Sequence, residues 1–339
     1  MELSDRKKKI LASVVEKYIM TGEPVGSKVI CGNLLVSSAT VRNEMSFLSE
    51  FGYLEQPHTS SGRIPSQKGL RYYVDNLMPS CDISDVERFM IESRFNNFAG
   101  EPDDIIKEAA KLLSEMTSCA AAALTPYDSN AVIKRAELVP LSQKSALVVV
   151  LVSTGVLKSR ICRCDTELDY NAAELFYNIA AAQFIGKRSE DFTPAVLQSI
   201  AAPLGDKAFV MIPLLFTLCE LAKEASRCSV ITEGQSKLLS YKSLEPYVYD
   251  IFECIKRSSD ISRLLNAGHS DLNVTIGREC MNRALENTSV ISAKYSVGGK
   301  NVGSIGVIGP IFMDYSVIIP SINFISKTVG KVLSEVIDE

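Results

Sequence analysis

One short segment constrains the fold of this chain more than any other: SSATVRNEMSFLSEFG, residues 37–52. Ser37 or Ser38 can cap a helix at its start, and Gly52 stands where a left-handed residue commonly ends one. At about 100° per residue, such a helix has one apolar and one polar side. The apolar side holds Val41, Met45, Leu48 and Phe51, and the polar side holds Ala39, Arg42, Asn43, Ser46 and Glu50. The segment therefore predicts an amphipathic helix with one guanidinium and one carboxamide facing outward.

The residues before this helix supply a second element. Residues 4–20 place apolar side chains at helical spacing, and TGEPVG at 21–26 is typical of a turn. A short helix is predicted to begin at Ser27 and to stop at Gly32-Asn33. A short helix, a tight turn and a second helix make the helix-turn-helix layout, whose second helix enters the major groove of DNA.

The polar side of the second helix has the chemistry for reading bases. The guanidinium of Arg42 and the carboxamide of Asn43 have the forked geometry that matches guanine and adenine edges. We expect Thr40 and Ser46 to assist them. The alternative is that Arg42 and Asn43 are ordinary solvated surface residues.

A polar strip without acids follows. The segments 53–55 and 63–65 flank a polar turn, which predicts a small hairpin, and no Asp or Glu lies between residues 55 and 75. Phosphates accept hydrogen bonds from hydroxyls, backbone N–H groups and cations, whereas a carboxylate would repel them. An ordinary polar loop is the alternative. The predicted phosphate and wing contacts are Lys28, Ser37, Ser38, His58, Thr59, Ser60, Arg63 and Lys68.

Composition limits the class of protein. The 339 residues carry a net charge of −4, but the first 80 contain ten Lys and Arg against eight Asp and Glu. This charge distribution allows a local basic face, but it argues against a protein that binds nucleic acid over its whole surface. No stretch has the about 18 uninterrupted apolar residues that span a bilayer, and no signal peptide is expected. Nine scattered cysteines and two histidines match no zinc spacing. We expect reduced thiols, no metal, no cofactor and no catalytic set.

The remaining chain predicts a multidomain α+β protein. After a linker at 78–84, residues 85–118 and 316–338 are predicted to be helical, and 171–266 mainly so. Predicted strands cover 119–126, 133–141, 146–153, 157–164, 229–234, 272–279, 290–297 and 301–310. An inserted domain is placed at 142–235. Its apolar helix at 206–222 is either core or a dimer interface.

Several strings in this sequence resemble one family. GEPVGSK, SSATVRNEM, GYLEQPHTSSGRIPSQKGLRYYVD and, near the other end, GSIGVIGP and MDYS are similar to the heat-inducible transcription repressor HrcA of bacteria. The resemblance is dense over 22–75 and clear again over 297–316. This chain departs from the family in a shorter segment between Ser27 and Ser38, in Lys28 where arginine is common, and in Ile311-Phe312 where a polar-basic pair is usual.

The resemblance implies a fold and a function. It implies a winged helix at 1–78, a GAF-like α+β domain at 84–141 plus 236–339, and an inserted α/β dimerisation domain at 142–235. It also implies a homodimer that binds an inverted-repeat operator, called CIRCE, upstream of heat-shock chaperone genes. The chaperonin GroEL would maintain its active state.

These lines of reasoning converge on one expectation. The chain is predicted to be a cytoplasmic, bacterial, homodimeric and sequence-specific DNA-binding repressor, without enzymatic activity or a membrane association. The alternative is a ligand- or redox-sensing regulator that acts through the GAF-like domain, since nine thiols could oxidise.

Overall fold

The structure is a computed structural model. It describes residues 3–34, 36–57, 62–79, 81–96, 102–125, 130–168, 170–226, 228–268 and 270–338.

The N-terminal unit consists of helices and one short hairpin. Its elements are α1 (Asp5–Thr21), α2 (Ser27–Leu34), α3 (Ser38–Glu50), β1 (Leu54–Glu55), β2 (Ile64–Pro65) and α4 (Gln67–Asn76). The strands β1 and β2 are antiparallel, with Leu54 opposite Pro65. Ile10, Val14, Val41 and Leu48 of these helices are fully buried, and they belong to an apolar cluster that continues into the body of the protein. The predicted helices of this region and its hairpin are confirmed.

The body of the protein follows in chain order. Its elements are α5 (Asp85–Phe95), α6 (Pro102–Thr117), β3 (Ala120–Leu124), β4 (Ile133–Ser142), β5 (Ser145–Val152), β6 (Leu157–Arg163), α7 (Tyr170–Gln183), α8 (Pro194–Ala201), α9 (Ala208–Ala225), β7 (Val230–Glu233), α10 (Val248–Lys256), α11 (Ser258–Leu265), β8 (Leu272–Ile276), β9 (Thr288–Val297), β10 (Lys300–Pro310) and α12 (Tyr315–Asp338).

Five strands form one antiparallel sheet in the order β7-β3-β10-β9-β8. Because side chains alternate along a strand, the sheet buries two faces. On β3, Ala121 and Ala123 face the core shared with α5, α6 and α12, whereas Ala120 and Ala122 face the core under α10 and α11. The expected antiparallel sheet with flanking helices is therefore present, and the fold is mixed α+β.

A second sheet, in the order β4-β5-β6, belongs to the insertion. It packs with α7 and α9 around a separate core that runs from Ala131 to Ala225. The chain enters and leaves this unit at Thr125 and Ser229, where Thr125 N donates to Ser229 O at 2.9 Å and Ser229 N donates to Thr125 Oγ1 at 2.9 Å. All strand pairs are antiparallel, so the insertion is of α+β rather than α/β type.

The strand pairing does not agree with the expected bounds of the inserted domain, residues 142 and 235. β4 was expected in the GAF-like part, but it pairs with β5, because its buried Ala136 and Leu138 stand opposite Val150 and Val148. β7 was expected in the insertion, but it pairs with β3 of the five-stranded sheet.

The helix predicted over 85–118 is two helices. α5 ends at Phe95 and α6 begins at Pro102. Proline fits the first turn of a helix, where its missing N–H is not needed.

The helices of the described ranges include none that is both long enough and apolar enough to cross a membrane.

Candidate nucleic-acid interface

Local sequence fixes both ends of α3. The backbone N–H of Thr40 donates to the Ser37 hydroxyl at 3.1 Å, which is the expected N-cap bond. At the other end Gly52 has φ +74°, a left-handed geometry that costs little without a Cβ. The N–H of Tyr53 then donates to the carbonyl of Leu48 at 2.8 Å. The helix is thereby held at a defined length and orientation.

The polar side of α3 faces solvent. Arg42, Asn43 and Ser46 are exposed, whereas Val41, Met45 and Leu48 are buried against α1 and α2. Within the described part of the chain, the side chains of Arg42 and Asn43 have no hydrogen-bond or ion-pair partner. Phe51 departs from the predicted pattern, because it is 39% exposed and stacks on Phe47 with ring centroids 4.3 Å apart.

Six of the predicted site residues meet in one cleft. It lies between α2, α3 and the β1–β2 hairpin and has a volume of about 640 Å³. Its walls include Lys28, Ser38, Arg42, Asn43, Ser46 and Arg63. The cleft therefore brings together a guanidinium and a carboxamide from α3 with cations from α2 and from the hairpin.

Arg63 is held in this cleft by its backbone. Its N–H donates to Val25 O at 2.9 Å, and Val25 N–H donates to Arg63 O at 2.8 Å. The approach is close enough to require the neighbouring Gly62, since a Cβ there would lie 2.6 Å from the Val25 carbonyl carbon. The Nε of Arg63 is buried and has no hydrogen-bond partner among the described residues. A buried donor without an acceptor is costly, so this N–H is suited to an incoming oxygen ligand.

Other predicted contacts are engaged elsewhere. The Thr40 hydroxyl lies 2.9 Å from the Ser37 hydroxyl, and the Ser38 hydroxyl lies 2.9 Å from that of Ser27. Lys68 Nζ donates to Phe51 O at 2.8 Å and lies 4.4 Å above the Tyr53 ring, so this cation closes the end of α3.

The remaining wing residues, His58, Thr59 and Ser60, lie outside the described residues.

Sequence reasoning missed two members of this region. Gln56 also lines the cleft, and its signal was its place at the start of the acid-free strip. Glu44 on α3 is buried and accepts from Arg6 Nε at 2.8 Å, while Lys7 Nζ lies 3.1 Å away. Desolvation opposes its ionisation, but the hydrogen bonds from Lys7 and Arg6 outweigh it and lower the pKa of Glu44.

The thiols give little support to redox sensing. Burial raises the pKa of six of them, namely Cys119, Cys164, Cys219, Cys228, Cys254 and Cys280. A raised pKa disfavours the thiolate, which is the reactive form. Across the part of the chain that the structure covers, no group of three or more metal-binding side chains comes together.

Comparisons with known proteins agree on one family. The family described as "HrcA protein C terminal domain" matches residues 103–319, more than half of the chain. A "Heat-inducible transcription repressor HrcA" of Thermoanaerobacter sp. (strain X514) is 34% identical over 344 residues, covering 100% of this chain and 99% of the relative. The protein of the same description from Moorella thermoacetica is 34% identical over 342 residues and covers 99% of both chains.

A solved structure shares the fold. The crystal structure of a hypothetical protein at 2.2 Å resolution superposes with a TM-score of 0.72 at 24% identity, covering 99% of this chain and 100% of the other.

Proposed function

The chain belongs to the HrcA family of heat-inducible transcription repressors, and from that premise we propose that it represses heat-shock chaperone genes as a homodimeric, sequence-specific DNA-binding protein in the bacterial cytoplasm. The observation that carries the proposal is the cleft of about 640 Å³, where Arg42 and Asn43 stand exposed beside Lys28 and Arg63. Base-reading and phosphate-binding groups on one concave surface are what a duplex requires.

In this proposal the N-terminal unit is a winged helix. The helix α3 enters the major groove, where Arg42 and Asn43 read base edges with Ser46 beside them. Lys28 of α2 and Arg63 of the hairpin bind phosphates on one side of that groove. At the start of α3, Thr40 is proposed to assist base reading and Ser37 to bind phosphate. Their hydroxyls already lie within hydrogen-bond distance of each other.

The operator is proposed to be an inverted repeat of the CIRCE type, which requires two copies of the protein. The insertion supports a dimer, because α9 exposes Phe209, Ile212 and Phe216 along one helical face. An apolar groove of about 590 Å³ lies along the same helix and is lined by Ile212 and Phe216. Patches of this kind on soluble proteins commonly mark association, and a second copy of this chain is the occupant we propose.

The body is proposed to be a GAF-like domain built on the five-stranded sheet. Both faces of that sheet are covered by buried side chains of the flanking helices. This favours a scaffold that positions the DNA-binding unit. By resemblance to the family, the chaperonin GroEL is the proposed partner that maintains the DNA-competent form.

A gel-shift experiment tests the proposal. Purified protein is titrated against an inverted-repeat operator and against a scrambled duplex of equal length, with and without chaperonin. We expect preferential binding of the inverted repeat and a larger bound fraction when chaperonin is present. Equal binding of both duplexes would contradict sequence-specific repression, and an unchanged bound fraction would contradict chaperonin control.

A further inference from the structure

The start of α1 lies against α3 through a shared carboxylate. Glu44 follows Asn43 directly on α3, and its Oε1 accepts from Arg6 Nε at 2.8 Å. Lys7 Nζ lies 3.1 Å from Glu44 Oε2 and 4.4 Å from the centroid of the Phe47 ring. Two cations of α1 are therefore anchored next to the proposed base-reading face.

The exposure of the three groups is unequal. The side chain of Glu44 is 11% exposed, that of Lys7 is 20% exposed and that of Arg6 is 57% exposed. One carboxylate is shared by two cations, so the cluster keeps a positive charge. Because Nε bonds to Glu44, the Arg6 guanidinium is held beside α3 while most of its side chain remains open to solvent.

The cluster lies on the opposite flank of α3 from the cleft. At about 100° per residue, Arg42, Asn43 and Ser46 occupy one sector of the helix. Ser38 and Met45, which line the cleft with Lys28 and Arg63, border that sector on one side. Glu44 and Phe47, which hold Arg6 and Lys7, border it on the other.

A helix in the major groove has a phosphate backbone on each side, because that groove is about 12 Å wide and an α-helix fills it. We propose that Arg6 and Lys7 bind phosphates of the strand opposite to the one bound by Lys28 and Arg63. In this arrangement Glu44 is a positioning residue. The inference rests on the proposed function and adds a second DNA contact to it.

A purely structural role for the cluster makes a different prediction. A buried carboxylate needs partners, so the ion pairs could serve only the fold. In that case the replacement of Arg6 would change stability and leave the salt dependence of DNA binding unaltered. Phosphate binding and a purely structural role can therefore be distinguished by the slope of log affinity against log salt concentration.

The test measures operator affinity at several salt concentrations for wild type, Arg6→Gln, Arg6→Lys and Lys17→Gln. Each phosphate contact contributes about 0.9 to the slope, so Arg6→Gln is expected to make it shallower by about one unit. Arg6→Lys keeps the cation and is expected to keep the slope. Lys17 is an exposed residue of the same helix three turns away, and Lys17→Gln is the matched control with a wild-type slope.

Glu44→Gln supplies an independent measurement. Removing a negative charge beside DNA would by itself tighten binding, whereas loss of the positioning carboxylate is expected to raise Kd several-fold. A thermal melt verifies that each variant is folded, and Lys7→Gln replaces Arg6→Gln if the latter does not fold. Tighter binding by Glu44→Gln overturns the positioning role of Glu44. A wild-type slope in Arg6→Gln, or in Lys7→Gln where that replaces it, overturns this inference and leaves the proposed function standing. A wild-type protein that binds no operator overturns the proposed function with it.

Discussion

Arg71 of α4 donates through Nε to Oε1 of Glu279 at 3.1 Å, and this bond joins the N-terminal unit to the turn that follows β8. Arg71 Nη2 also donates to Val274 O at 2.6 Å. One turn earlier, Gln67 Nε2 donates to Ile276 O. Two side chains of α4 thus bond to the same short stretch of the body, which fixes the orientation of the DNA-binding unit relative to the sheet.

The first prediction concerns this joint. Arg71→Ala removes the bonds to Glu279 and Val274, so the N-terminal units of a dimer should lose their fixed relative orientation. We expect affinity for a full inverted repeat to fall by about tenfold, because a loosened unit must be reoriented on binding, at a cost of no more than the roughly 1.5–3 kcal/mol of a charged hydrogen bond. Affinity for a single half-site should change little. Fluorescence anisotropy with both duplexes measures the two values.

Arg278→Ala is the control for the joint. Arg278 lies in the same turn, but its side chain is 82% exposed and its nearest carboxylate, on Glu286, is 4.0 Å away. Its backbone N–H, which donates to Gln67 Oε1 at 3.4 Å, survives the replacement. Equal losses on full and half sites in Arg71→Ala would show that the joint does not set orientation.

The second prediction concerns base reading by Arg42. A bidentate contact to a base is worth about 1–3 kcal/mol of discrimination, so Arg42→Ala should weaken operator binding by that amount and relax preference at one base pair. Arg42→Lys keeps the charge and loses the planar fork, so it should recover affinity without recovering the preference. Affinities for operators substituted at each position measure both effects, and unchanged discrimination in Arg42→Ala would show that the assignment is wrong.

Local features of the chain were predictable from the sequence. The limits of α3 follow from Ser37 at its start and Gly52 after its end, because a cap acts on residues within three or four positions. The exposure of Arg42 and Asn43 follows from helical periodicity alone. Helix limits and the exposed side of a helix therefore depend on residues a few positions apart, and they can be predicted without knowing the fold.

Distant partners were not predictable in this way. The pair of Arg6 with Glu44 joins residues 38 positions apart, and the pair of Arg71 with Glu279 joins residues 208 apart. Nothing in either local pattern selects the partner, because long-range ion pairs depend on how elements pack. The same holds for β4, whose alternating apolar residues fit either sheet until its pairing with β5 is known.

The third prediction concerns Arg63. Because it is proposed to bind phosphate, Arg63→Ala should weaken binding to operator and to scrambled duplex by similar factors and make the salt slope shallower by about one unit. Lys242→Ala, at an exposed cation of the body, is the control and should leave the slope unchanged. A selective loss on the operator alone would instead assign Arg63 to base reading.

The fourth prediction concerns pH. Lys7 and Arg6 hold the pKa of Glu44 below its usual range, so the ionised form is favoured by folding. The resulting stability is present above the pKa that this carboxyl has in the unfolded chain and is lost as pH falls through the lower folded pKa. We expect wild type to exceed Glu44→Gln in free energy of unfolding at pH 6 and the difference to shrink towards pH 3. Urea denaturation across this range measures it, and parallel curves would contradict the assigned ion pairs.

The fifth prediction concerns the dimer. Phe216 on α9 is 56% exposed beside the apolar groove, and two-fold symmetry would bury it once in each copy. A buried aromatic side chain contributes about 1.5–3 kcal/mol, so Phe216→Asp should raise the dimer Kd at least about 100-fold. Analytical ultracentrifugation measures the dissociation.

Tyr249→Asp is the control. It alters an aromatic residue that is 73% exposed on α10 of the body and should leave the dimer intact. Dissociation by Tyr249→Asp but not by Phe216→Asp would show that the dimer interface lies on the body and not on the insertion. A charge weakens the dimer only where the side chain that it replaces is buried on association.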